Sequence, residues 1–259
     1  MFQILFFSVV SCLIFAIEQK HIGFADIVKS FYAYWFVWAY LLLYALSPIL
    51  NAFVEKATPK QLRNVLIVFY FIQTLDWIFP TYQEPFSSGY STISFIGLYL
   101  LARYVRLYVA PVLTTKTYNL IAIYASLVLA HTMAVVAMAF SGREQLYDIG
   151  IEKVLDYTTP VSILSAVVLL LIFSRISIQS KVVNWIAGSS FAVYLLHTNV
   201  LLFDYFLGMV NGIYEMSNNA IGLMFIFLFL CVVFAVSVII DQPRKWLWGK
   251  MSYRLDKSN

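Results

Sequence analysis

The run Ala220-Ile221-Gly222-Leu223-Met224-Phe225-Ile226-Phe227-Leu228-Phe229-Leu230-Cys231-Val232-Val233-Phe234-Ala235-Val236-Ser237-Val238-Ile239-Ile240 holds twenty-one residues and no charge. A helix rises about 1.5 Å per residue, so this stretch reaches about 30 Å, the depth of a bilayer's hydrocarbon core. A backbone exposed to lipid must satisfy its own hydrogen bonds, and the run is too long for a barrel strand, so it reads as a helix. The same ruler predicts seven further spans, at 2–17, 31–53, 64–80, 91–108, 118–140, 159–174 and 185–207. Polar breakers separate them, such as Ala57-Thr58-Pro59-Lys60 and Ser87-Ser88-Gly89.

Composition agrees with that count. The chain is 62% hydrophobic and only 12% charged over 259 residues, with a mean hydropathy of +0.82. A water-soluble fold of this length has no interior large enough for so much apolar surface. The expected architecture is therefore all-α, a polytopic transmembrane bundle of about eight spans forming one membrane-embedded domain over 1–259.

The net charge of +4 is a matter of topology, and it implies no nucleic-acid partner. If the spans alternate, one side collects Lys56, Lys60, Arg63, Arg103, Arg106, Lys116, Arg175, Lys181 and the five basic residues from Arg244 to Lys257, thirteen of the seventeen. The other side keeps Lys20, Lys29, Arg143 and Lys153, and with them most of the loop acids. The Lys/Arg bias puts both termini in the cytoplasm. The basic segment 242–259, with Trp246 and Trp248, reads as a cytoplasmic tail held at anionic lipid. In the outer loop Glu144, Asp148, Glu152 and Asp156 recur every fourth residue, which suggests a short amphipathic helix on the membrane with its acidic side in water. Cys12 and Cys231 lie in apolar spans, where neither a disulfide framework nor metal-ligand spacing is available, and no metal site is expected.

Three segments resemble the type-3 integral-membrane acyltransferases. Tyr34-Trp35-Phe36-Val37-Trp38-Ala39-Tyr40-Leu41-Leu42-Leu43-Tyr44, with Ser47-Pro48 after it, is similar to that family's middle helix. Gly89-Tyr90-Ser91, Leu98-Tyr99-Leu100 and Tyr104-Val105-Arg106-Leu107-Tyr108 resemble the helix two later. Asn184-Trp185-Ile186-Ala187, leading into Ser190-Phe191-Ala192-Val193-Tyr194-Leu195-Leu196-His197-Thr198-Asn199, is similar to the penultimate core helix. The resemblance implies the last eight helices of a ten-helix core with both ends in the cytoplasm. It also implies two helices ahead of Met1, the first carrying the arginine and histidine that the family uses for acyl transfer, a catalytic pair with no counterpart here, since no arginine precedes Arg63. The uncharged start of the first span fits that expectation and lacks the basic region of a signal peptide. A short first helix in its own right is the alternative.

What the resemblance implies for function is transfer of an acyl group, acetyl in the first instance, from a cytoplasmic donor to a hydroxyl of a surface glycan or its lipid-linked precursor. The setting is the bacterial cytoplasmic membrane. Acetyl-CoA is the expected co-substrate, no bound cofactor is required, and the partners are the glycan acceptor and membrane lipid.

Such a transfer needs a base for the hydroxyl proton and a donor for the developing oxyanion. Among three histidines, His21 lies in an outer loop, whereas His131 and His197 fall inside apolar runs where an ionisable group is a functional candidate by default. His197 is the catalytic candidate, with a pocket-shaping role as the alternative. Ser190 and Tyr194 share its helix face, and the competing reading is close helix packing through Gly188, Ser189, Ser190 and Ala192. Tyr194, Asn199 and His131 are substrate-binding candidates, His131 having a structural hydrogen bond as its alternative. Arg103 and Arg106 could fork onto the phosphates of the donor or snorkel to head groups. Asp76 and Asp204 are placed to meet a sugar hydroxyl or to be interfacial carboxylates. A reading from another class is a non-catalytic membrane protein, such as a glycan or lipid exporter subunit or an inactive fragment, and the lack of paired interrupted spans weighs against export.

Overall fold

The computed structural model describes residues 2–19, 21–80, 85–141, 144–217 and 220–256. Lys20, Glu84, Arg143 and Lys257, and the side chains of Glu144, Asp148 and Arg254, lie outside the described residues.

Twelve α-helices succeed one another among the described residues: α1 Phe2–Gln19, α2 Phe24–Tyr32, α3 Trp35–Lys56, α4 Pro59–Ile78, α5 Thr92–Tyr104, α6 Thr117–Ala139, α7 Glu144–Leu155, α8 Pro160–Phe173, α9 Lys181–Ala187, α10 Ser190–His197, α11 Phe203–Ser217 and α12 Ala220–Asp256. No strand occurs among them, so the all-α expectation holds. Five stretches are long and apolar enough to cross a membrane: Trp35–Lys56, Thr92–Val112, Thr117–Ala139, Gly150–Phe173 and Ala220–Tyr253. Phe2–Glu18 is apolar but shorter. Their large apolar side chains face outward, Leu129 at 59% and Phe227 at 65% exposed. That inverts a water-soluble protein and suits a surface bathed in lipid.

Local chemistry starts the helices where the breakers predict. Thr58 closes a capping box on α4: its hydroxyl accepts from the Gln61 amide at 3.3 Å while the Gln61 side chain accepts from the Thr58 amide at 2.9 Å, with Pro59 at the first helical position. Thr159 and Pro160 begin α8 in the same manner, the Ser162 amide donating to the Thr159 hydroxyl at 3.0 Å.

Two expectations need correction. The span predicted at 185–207 is not one helix but three pieces, α9, α10 and α11. Hydropathy runs unbroken through it, but polar side chains take over the backbone's partners. The Ser190 hydroxyl donates to the Ala187 carbonyl at 2.8 Å and ends α9. At the far end of α10, His197 Nδ1 and the Thr198 hydroxyl each donate to a carbonyl four residues back, at 2.6 Å. Asn199 Oδ1 then accepts from the Leu201 amide at 3.0 Å, and its carbonyl takes the amide of Phe203 at 2.8 Å to begin α11. The second correction concerns the last span, whose helix does not stop near 240 but continues through Pro243 to Asp256. Asp241 sits fully buried on it and is held by Arg244 in a two-pronged pair, Nε to Oδ1 at 2.6 Å and Nη2 to Oδ2 at 3.0 Å.

The chain folds as two compact units, one built from 1–35 and 178–259, the other from 36–177. In the first, α12 packs on α10 and α11, and α1 packs on α2 and α10. In the second, α6 packs on α7 and α8, and α4 on α5. Gly97 brings α4 and α5 together, since a Cβ there would lie 2.1 Å from the Phe69 ring. Gly97→Val is expected to cost about 1–3 kcal/mol through overpacking, measured as unfolding of the purified protein in mixed micelles. Gly208→Ala, inside α11 where a Cβ meets open space, should not destabilise and is expected to raise stability by about 0.5–1 kcal/mol.

Candidate functional site

Around the interrupted span of the first unit, buried polar groups form a closed network. Ser8 on α1 and Ser30 on α2 exchange hydrogen bonds, each hydroxyl donating to the other's carbonyl at 2.8 and 3.2 Å. Asn199 reaches in from the segment after α10, and Nδ2 donates to the Ser30 hydroxyl at 3.1 Å and to the Tyr34 hydroxyl at 2.6 Å. Tyr34 donates in turn to the Leu195 carbonyl at 2.7 Å. Ser8, Ser30, Tyr34 and Asn199 are all 2% exposed or less. Groups so buried are stable only when partnered, and this set partners itself. It fixes the break that follows His197. Asn199, expected at a substrate, has its amide committed to this network.

On the other side of α10 lies a cavity of about 400 Å³, walled by α1, α10, α11 and α12. Its lining is apolar, with Phe15, Leu202, Phe206, Met209 and Val233, and four side chains bring polar atoms to it: Glu18, His197, Tyr205 and Ser237. Ser237 spends its hydroxyl on the Val233 carbonyl at 2.7 Å. His197 is held from three directions. Its ring meets Tyr194 edge-on at 6.4 Å, lies 5.4 Å from the Phe206 ring, and Nδ1 faces the Val193 carbonyl at 2.6 Å. A carbonyl only accepts, so the proton of the neutral ring sits on Nδ1, and Nε2 carries the lone pair that a base needs. Tyr194 supports His197 from behind and stacks on Phe191 at 5.8 Å.

The remaining candidates belong to the second unit. Arg103 closes the last turn of α5, half-buried, and its Nε has no hydrogen-bond partner among the described residues. Arg106 follows on a π-helical turn, Val105–Val109, with its side chain exposed. Single π turns recur at functional sites because the extra residue re-aims side chains. His131 donates from Nε2 to the Val154 carbonyl at 2.8 Å and lines an open groove of about 510 Å³ with Thr132, Tyr157 and Ser165. The structure thus joins His197 to Tyr194 directly, places Asn199 in the network behind them, and holds Arg103, Arg106 and His131 in the other unit. Sequence reading missed Glu18 and Tyr205, which reach the cavity from separate helices. The signal for Glu18 was its place as the lone carboxylate at the end of an uncharged run.

Among the described residues no group of three His, Cys, Asp or Glu side chains converges on a point that would hold a metal ion. No curated protein and no solved structure matches the chain. The sequence family described as an acyltransferase domain does match, over residues 1–241, which takes in α1 to α11 and most of the apolar part of α12. A helical membrane chain matched over residues 1–241 of its 259 belongs to the type-3 acyltransferase family.

Proposed function

We propose that the chain transfers an acetyl or related short acyl group from acetyl-CoA on the cytoplasmic side to a hydroxyl of a surface glycan or its lipid-linked precursor, with both termini in the cytoplasm of a bacterial inner membrane. The observation that carries this reading is His197, tautomerically set by Val193 and lining a cavity of about 400 Å³. Nε2 takes the acceptor hydroxyl proton as its oxygen attacks the thioester carbonyl. The carbon–sulfur bond then breaks, and the proton passes to the leaving thiolate, so an ester and a free thiol are formed. The Tyr205 hydroxyl is the candidate donor to the oxyanion, and the apolar walls keep water from competing for the acyl carbon. Tyr194 and Asn199 act by holding His197 and the break beside it. His131 serves as a structural donor to α7, and Arg103 with Arg106 offers, within the second unit, a binding place for the phosphates of a nucleotide thioester.

Purified protein given acetyl-CoA and a panel of glycan acceptors is expected to release free thiol only when an acceptor is present. Absence of release across a broad panel contradicts the reading. Arg103→Gln is expected to raise the KM for acetyl-CoA about tenfold, the worth of one charge-assisted hydrogen bond, with kcat little changed. Thiol-release kinetics over a range of acetyl-CoA concentrations check this.

One observation favours a second reading, glycan export. The span at 185–207 is interrupted, and transporters build their sites on interrupted helices. Loss of export with surface acylation intact in a His197→Ala strain would select it.

A further inference from the structure

The second unit holds a cleft of about 380 Å³ lined by Asp76, Trp77, Tyr90, Glu152, Asp156 and Tyr157, and we infer that it is a binding site for a neutral or amine-bearing sugar. The choice of a sugar rests on the acyl-transfer reading and would give the acceptor a place on the protein apart from the histidine cavity.

The lining has the chemistry of polyol recognition. Carboxylates accept hydrogen bonds and donate none, so they suit a ligand that offers hydroxyl or ammonium donors at several points. Aromatic side chains suit the apolar face of a pyranose ring. The Tyr90 and Tyr157 rings stand edge to face at 5.5 Å, and 44% of Tyr90 and 62% of Tyr157 remain exposed. Partial burial, the Tyr157 hydroxyl and the Asp156 charge hold the Tyr90 phenol above its ordinary range.

The same carboxylates are not arranged for a cation, since no three of them converge among the described residues. Their charge selects against acidic sugars. Three carboxylates face the cleft with one ammonium, Lys153, and that ammonium is already donating to the carbonyls of Trp77 at 2.6 Å and Ile78 at 3.1 Å at the end of α4. A uronate would add a fourth carboxylate to the three that already line the cleft.

The cleft is also built before a ligand arrives. The Trp77 indole donates to the Lys153 carbonyl at 2.9 Å, so with the Lys153 bonds the ends of α4 and α7 are clamped to each other. The floor at Ser87, Ser88 and Gly89 takes three successive positive φ angles, 43°, 49° and 95°. A Cβ at Gly89 would lie 2.8 Å from that of Tyr157, so only glycine lets the backbone pass beneath the ring. A volume of about 300–1,000 Å³ is usual for a small-molecule site, and this cleft falls inside it.

Calorimetric titration of the full chain in nanodiscs tests the inference, with a glucosamine oligosaccharide, a neutral glucan oligosaccharide and an oligogalacturonate as probes. Either of the first two should bind, with the oligogalacturonate at least about tenfold weaker, and Glu152→Gln combined with Asp76→Asn should weaken binding about tenfold or more. Glu152→Gln alone, at an exposed position, guards against misfolding in the double variant and should show part of the loss. Failure of both probes to bind, equal binding of the oligogalacturonate, or affinities unmoved by the substitutions would overturn the inference. His197→Ala should leave these titrations unchanged. Thiol release without sugar binding in this cleft therefore sinks this inference alone, and sugar binding without thiol release sinks the acyl-transfer reading alone.

Discussion

Replacing His197 by alanine is expected to lower acyl transfer about 10²- to 10⁴-fold, the range a positioned general base supplies. The loss should fall on kcat more than on the KM for acetyl-CoA, because the ring acts on the acceptor's proton and not on the donor's phosphates. Thiol-release kinetics on the purified protein measure both. A packing role for His197 predicts a different pattern: the ring touches Tyr194 and Phe206, so His197→Phe would then retain the activity that the aromatic contacts sustain. On the present account His197→Phe is as inactive as His197→Ala while unfolding normally.

The largest structural effect is expected at Asn199. Changing it to leucine removes the donor to Ser30 and Tyr34 and the acceptor for the Leu201 amide, all at buried residues. Each buried polar group left without a partner costs about 1–3 kcal/mol, and several are orphaned at once, so a loss of about 3–5 kcal/mol is expected. Denaturant titration in mixed micelles measures it. Tyr34→Phe keeps the ring and removes only the hydroxyl, and it should cost about 1–3 kcal/mol. Activity in both variants should fall with stability, since Asn199 sets the turn that immediately follows His197. An Asn199→Leu protein as stable as the parent would mean that the network does not hold the break.

Much of the fold was legible because lipid imposes a simple rule. The charge-free stretch at 220–240 and the run read at 31–53 called for helices of spanning length, and such helices cover them from Ala220 and, after a break behind Tyr32, from Trp35. The interruption of 185–207 was not legible. It depends on Asn199 finding Ser30 and Tyr34, partners 169 and 165 residues away in sequence, and hydropathy carries no record of so distant a bond. The extension of α12 beyond 240 escaped for a related reason. Asp241 and Pro243 look like a helix end until Arg244 pairs the carboxylate in place.

The site divides along the same line. His197 stood out because an ionisable ring in an apolar run is costly in itself. Arg103 was visible by its charge, and the π turn after it was not, since one extra residue per turn leaves no mark on composition. Glu18 and Tyr205 reach the cavity from α1 and α11, and only the packed structure brings them to His197. The Tyr90 and Tyr157 pair is of the same kind, as rings that stand 67 residues apart in sequence meet only once the segment after α7 folds against the one before α5.

The claim that the cavity beside His197 receives the acyl group is open to one direct measurement: photolabelling of the full chain by a short-chain acyl-CoA bearing a diazirine in the acyl group, with the modified residues mapped by mass spectrometry. The account predicts label on the cavity walls, at residues such as Phe15, Leu202, Met209 and Val233, and its displacement by excess acetyl-CoA. Label confined to residues outside that cavity, or label that excess acetyl-CoA leaves in place, would contradict it.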